Sequence, residues 1–149
     1  MNWEKALEKT SSYDSEEIFE QVRVATLNVK NGIYPYERDS VNFDKIEYSY
    51  PLLIALLSAV ENEELIVFDF GGALGSSYFQ NREFLFQSGK VKTLKWCVIE
   101  QERFVNIGNK EIKDDCLFFF ESINKAIENV GKPQIILLSS VLPYVSKPY

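Results

Sequence analysis

The chain has 149 residues, the length of one domain. Its 46% apolar content, with 11 Phe and 8 Tyr, is that of a globular protein able to bury a sizeable core. A formal charge of −6 argues against the basic face that general nucleic-acid binding needs, and the absence of histidine excludes Ser-His-Asp and Cys-His triads and every histidine-based metal site.

No run of about 18 apolar residues is present, so no membrane span is expected. The first residues, MNWEKALEKTSS, lack the basic and apolar regions of a secretory signal, and a cytoplasmic location is expected. The two cysteines, Cys97 and Cys116, fall in or beside predicted strands. A structural pair is open to them, but reduced buried thiols suit a cytosolic protein, and two cysteines do not complete a typical zinc site.

In chain order, residues 2–10 predict a short amphipathic helix with Trp3, Ala6 and Leu7 on one side. Asp14 with Glu17 reads as a capping box. Ile18, Val22, Ala25 and Val29 follow at helical spacing, and Gly32 is a natural stop. Residues 33–50, IYPYERDSVNFDKIEYSY, read as a long polar-aromatic connection. Long ordered connections in compact domains tend to be lids or binding loops; the plainer alternative is a solvated turn with its aromatics tucked onto the core. Pro51 then opens an apolar helix, PLLIALLSAV, expected to be buried on more than one face.

Leu65 to Phe70 predicts a strand buried on both faces. It ends in Asp69 and Phe70 and runs directly into Gly71, Gly72, Ala73, Leu74 and Gly75. Ser76 or Ser77 is placed to cap a helix from about Tyr78 to Gln87, stopped by Gly89. A second strand, Lys95 to Ile99, carries Glu100 at its tip, with Gln101 beside it. A short helix from Glu102 to Ile107 ends at Gly108. Leu117 to Phe120 is a third strand, with Glu121 or Ser122 at its tip, and Ser122 is equally a helix cap. Ile123, Ala126, Ile127 and Val130 mark the next helical face, closed by Gly131 and Pro133. Gln134 to Leu138 is a fourth strand, leading into Ser139-Ser140-Val141-Leu142-Pro143-Tyr144.

The stretch that carries chemistry is the strand, acid, glycine turn and helix start around Asp69. Glycines allow a sharp turn and close approach of a ligand to the backbone. Free N–H groups at the helix start favour a polar or anionic group. An acid at the strand tip suits hydroxyl, amine or ammonium better than phosphate. The bland alternative is a turn that only joins a strand to a helix. The dinucleotide pattern G-x-G-x-x-G fails, because counting from Gly71 places Ala73 third and Ser76 sixth, and no P-loop Gly-Lys-Ser/Thr is present. Glu100 lies where an acid accepts from a ribose diol.

Asp69-Phe70-Gly71-Gly72-Ala73-Leu74-Gly75 resembles the first motif, D-x-G-x-G-x-G, of class I S-adenosylmethionine-dependent methyltransferases, with Ala73 in place of the middle glycine. The wider chain is similar to a small family of bacterial methyltransferases through YERDS (Tyr36 to Ser40), DFGGALGSSY (Asp69 to Tyr78), WCVIEQ (Trp96 to Gln101) and SSVLPY (Ser139 to Tyr144). The resemblance implies an α/β fold: a partial doubly wound, Rossmann-like parallel sheet of about four strands in the order 3-2-1-4. Residues 1–62 would be a helical cap with a lid loop, and residues 63–149 an S-adenosylmethionine-binding core. It implies cofactor contacts from Asp69, Gly71, Gly72, Ala73, Gly75, Glu100, Gln101 and Ser139. Glu37, Asp39 and Tyr144 are candidates for a base that would activate a hydroxyl on a small-molecule acceptor, with surface carbohydrate one class suggested by relatives. A complete sheet of this class has seven strands, so the chain reads as truncated, and the fourth strand would be an exposed edge open to a homodimer. The competing expectation is a non-catalytic module that binds a nucleoside or a protein.

Overall fold

A computed structural model of the chain describes residues 16–139. The predicted helix over residues 2–10, the Asp14 half of the capping box and the segment from Ser140 to Tyr144 lie outside the described residues. What is described is an α/β fold whose centre is a four-stranded parallel sheet.

The first element, α1 (Glu16–Lys30), buries Phe19, Val22, Ala25 and Val29 along one stripe. The predicted face is present, with Phe19 rather than Ile18 at its N-terminal end. Phe19 meets the ring of Phe104 edge-on, with centroids 4.9 Å apart. Such a pair contributes about 0.5–1.5 kcal/mol beyond its buried area.

The connection after α1 is not irregular. Strands β1 (Tyr36–Arg38) and β2 (Val41–Phe43) form an antiparallel hairpin. Its two-residue turn places Asp39 at φ 50° and Ser40 at φ 68°. Both values are positive, as a type I′ turn requires. Neither residue is the glycine that usually signals such a turn, so the hairpin is hidden in the sequence. The side chain of Asn42 fastens it to α1, accepting from Asn28 Nδ2 and donating to the Ala25 carbonyl, both at 2.9 Å. Replacing Ser40 by glycine is expected to relieve the left-handed backbone and raise stability by about 0.5–1 kcal/mol, measured by denaturant unfolding.

Helix α2 (Tyr50–Ser58) has Pro51 in its first turn and buries Leu53 and Leu56. Tyr50 and Ile54 are 69% and 66% exposed, so the helix packs on one side and not on several, despite its near-continuous apolar sequence. Strand β3 (Glu64–Phe70) follows, then α3 (Ser76–Gln87), β4 (Thr93–Ile99), α4 (Glu102–Ile107) with a π-helical turn over Gly108–Ile112, β5 (Leu117–Phe120), α5 (Ile123–Val130) and β6 (Ile135–Leu137). Ser122 caps α5 by accepting from Lys125 N at 3.2 Å, a structural duty rather than a ligand contact.

All pairings in the large sheet are parallel, and the strand order is β5-β4-β3-β6. Numbered along the chain this is not 3-2-1-4, because the unannounced hairpin supplies the first two strands. Side chains alternate across the sheet. Leu65 and Val67 of β3 and Leu94, Trp96 and Val98 of β4 join a core with residues of α1, α2 and α3. Ile66, Phe68, Cys97 and Ile99 face the other way, where Ala126, Ile127 and Val130 of α5 cover them. Both cysteines are free thiols, and burial pushes the Cys97 thiol up to about 12. Strand β6 pairs with β3 alone among the described strands, and Ile136 and Leu138 stay 48% and 49% exposed. Among the described residues, no helix is long and apolar enough to cross a membrane.

Candidate functional site

Parallel strands β3 and β4 end side by side, with Asp69 in register with Val98 and Phe70 with Ile99. The glycine turn grows from these ends. Gly71 N donates to the Ile99 carbonyl at 2.9 Å, and Gly75 N to the Gly72 carbonyl at 2.9 Å. Gly71, Ala73 and Gly75 have φ of 73°, 49° and 92°. Two of the three are the residue that bears such angles freely; Ala73 carries a conformation that costs an L-residue about 1–2 kcal/mol. Leu74 plugs the turn into the core with no exposure.

Helix α3 begins at Ser76, two residues earlier than the sequence suggests. Gly75 occupies the cap position and offers no side chain, so neither serine acts as the cap. The first hydrogen bond of the helix runs from Phe79 N to the Gly75 carbonyl at 3.1 Å. The N–H groups of Ser76, Ser77 and Tyr78 donate to no acceptor among the described residues. Such donors, reinforced by the helix dipole, favour an electron-rich ligand group.

Three carboxylates surround this turn. Asp69 is 1% exposed and accepts from the indole Nε1 of Trp96 at 3.1 Å. Its carboxylate lies directly under Gly72, where a Cβ would stand 2.6 Å from Cγ and 2.7 Å from Oδ2. Burial, aided by the nearby charge of Glu100 and opposed by the Trp96 bond, lifts its pKa to about 6. Glu100 sits at the tip of β4. Its Oε1 accepts from Ala73 N at 3.2 Å and its Oε2 from Gln101 N at 2.9 Å. Glu37, from strand β1, is 2% exposed and accepts from the hydroxyl of Ser76 and from the Ser40 backbone. Burial pushes its carboxyl above the usual range.

Asp69, Gly71, Gly72, Ala73, Gly75 and Glu100 are therefore brought together at the carboxyl ends of β3 and β4. Gln101 is beside them, exposed, and supplies a backbone N–H to Glu100. Ser139 is exposed and lies just past β6, the strand on the other side of β3. Of the candidate bases, Glu37 reaches the first residue of α3, whereas Asp39 is exposed, at positive φ in the hairpin turn. Tyr144 lies outside the described residues. The partners that sequence reasoning missed are Trp96 and Ser76. The strand period offered a signal for Trp96: it shares a face with Leu94 and Val98, as Asp69 does with Leu65 and Val67, and adjacent parallel strands put the two sets together.

Two surface cavities lie away from the turn. One of about 640 Å³ runs between α1 and the hairpin, along Glu17, Val24, Ser40 and Asn42. The other, of about 310 Å³, lies between the end of α1 and α3, along Lys30, Tyr34, Phe79 and Arg82. Gly72 thus finds a need within the protein, the close approach of Asp69, beside any need of a ligand. Comparisons of the chain with protein-family models, with curated proteins and with solved structures find no match.

Proposed function

We propose that the glycine turn of a Rossmann-like sheet binds S-adenosylmethionine and that the protein transfers its methyl group to a small-molecule acceptor, with a hydroxyl as the acceptor group. The observation that carries this reading is the Asp69 carboxylate, buried with no cation against it among the described residues, beneath a turn that also presents free helix N–H groups. A buried, unpaired acid is costly, and such costs concentrate at functional sites. The charge pattern selects the ligand. Three acids around the turn repel a phosphate, while the α3 N–H groups attract a carboxylate. A zwitterionic amino-acid end meets both demands, and a ribose diol suits Glu100.

When bound, the cofactor supplies a methyl group already activated by its sulfonium leaving group. The chain's own residues then hold and orient. The α3 N–H groups would receive the carboxylate of the methionine part, and the negative charge of Asp69 beneath the turn would favour its ammonium. Glu100 would fix the ribose, and the hairpin would close the site from the side of Ser76. Among the described residues, Glu37 is the candidate base that stands at the turn, and burial raises its proton affinity as a base requires.

Calorimetric titration of the protein with S-adenosylmethionine and S-adenosylhomocysteine tests this. Glu100→Gln should weaken S-adenosylhomocysteine by about 10–100-fold, the loss expected when a charge-assisted pair of hydrogen bonds is cut down. A protein that melts cooperatively yet binds neither compound contradicts the proposal. A second reading, a non-catalytic nucleoside- or protein-binding module, is favoured by the Gly72–Asp69 contact, which accounts for that glycine without a ligand. Binding of the adenosyl compounds with no methyl transfer to any hydroxyl acceptor would select it.

A further inference from the structure

The Asp69 carboxylate is held from two sides. The indole Nε1 of Trp96 donates to Oδ2 at 3.1 Å, and the backbone of Gly72 closes over Cγ from above. Trp96 has no exposure, stands in register with Val67, and has the ring of Tyr78 against its indole at 6.1 Å. Its ring therefore has no room to swing away, and its N–H is the donor that the Asp69 side chain has among the described residues. A residue chosen only to fill the core would need no polar atom aimed at a carboxylate.

From these contacts we infer that Trp96 is a positioning residue of the proposed cofactor site: its indole N–H fixes the Asp69 carboxylate under the glycine turn, and so sets the shape and charge that the turn offers to the amino-acid end of the cofactor. The binding consequence rests on the cofactor reading; the Trp96–Asp69 contact itself does not. A hydrogen bond to the ionised form favours that form, whereas burial and a neighbouring acid oppose it. The titratable groups facing the site are Glu100 at the tip of β4, Glu37 of the hairpin against Ser76, and Tyr78 of α3, whose hydroxyl is turned to Asp114 at 2.8 Å. Trp96 is thus the group that keeps Asp69 ionised near neutral pH.

Trp96→Phe keeps an aromatic ring, smaller than the indole, and removes the donor. In the ligand-free protein the Asp69 carboxyl carbon resonance should titrate with its midpoint raised from about 6 by about one pH unit. S-adenosylhomocysteine affinity, measured by calorimetry against pH, should rise later in W96F than in the wild type. The two curves should differ about 3-fold near pH 6.5, approach a 10-fold difference near pH 5 and converge near pH 8, as a shift of one unit dictates. An unmoved carboxyl midpoint overturns the inference, as does an affinity lowered evenly at every pH, the sign of a merely structural role. If the wild type binds no S-adenosylhomocysteine, the cofactor reading fails while the carboxyl titration still decides the role of Trp96. Should W96F not fold, the wild-type indole N–H resonances decide. One of the two should follow the Asp69 titration and cease to do so in D69N; two indole signals indifferent to pH between about 5 and 7 overturn the inference.

Discussion

Asp69→Asn should make the protein more stable at pH 7 and, on the proposed cofactor reading, at the same time remove binding of S-adenosylhomocysteine. Asparagine keeps the shape of the side chain and an oxygen for the Trp96 N–H, so the bond at 3.1 Å can persist. What it removes is a charge that is 1% exposed and repelled by Glu100. The sign follows from linkage. The folded pKa is raised from 3.8 to about 6, so the folded state holds this proton more tightly than the unfolded state. The resulting stabilisation is complete at low pH and is lost as pH rises through about 6. Wild-type stability should therefore fall across this window, while D69N should not show that fall. A shift of about two units corresponds to about 3 kcal/mol, and relaxation of the site leaves an expected gain of about 1–2 kcal/mol. That is several degrees in melting temperature for a chain of this size. Loss of a charged group from the proposed cofactor site should cost about 100-fold or more in affinity for S-adenosylhomocysteine. Opposite changes in stability and binding mark a residue kept for function.

Gly72→Ala should be the most damaging small substitution in the turn. The new methyl group would enter the Asp69 carboxylate at 2.6 Å from Cγ, 2.7 Å from Oδ2 and 3.0 Å from Oδ1. All three carboxyl atoms are too close, so rotation of the side chain offers no escape, and displacing it breaks the Trp96 bond. Overpacking of this kind costs about 1–3 kcal/mol, and the broken hydrogen bond to a buried charge adds to it. Denaturant unfolding of G72A should show a loss of about 3 kcal/mol. Adding Asp69→Ala should recover most of that loss, because the clash partner is gone. Failure of the second substitution to help would show that Gly72 is needed by something other than Asp69.

The main sheet was legible in the sequence because its strands are short, apolar and separated by helices with clear stops. Strands around Asp69, Cys97, Phe119 and Ile136 sit within a residue or two of their expected places. The hairpin was not legible. Its strands have three residues each, and its turn is Asp39-Ser40 rather than a glycine pair. Helix α2 misled in another way: Ile54 is apolar in sequence but exposed in the fold, and no periodicity in PLLIALLSAV distinguishes it from buried Leu53 and Leu56. At the site, the sequence pointed to Asp69, the glycines and Glu100 through local spacing. It could not show that Glu37 reaches Ser76 or that Trp96 reaches Asp69, since those contacts join residues 39 and 27 positions apart. Nor could it show that Glu100 braces the backbone of Ala73 and Gln101, a role that fits the acid to the turn without any ligand.

The most direct test of the proposed site is S-adenosylhomocysteine affinity, measured by calorimetry on wild type and D69N from about pH 5 to about pH 8. Binding that strengthens through about pH 6 in the wild type and is lost in a folded, more stable D69N agrees with a cofactor pocket built on Asp69. Equal affinity in the two proteins, or none in a folded wild type, contradicts it.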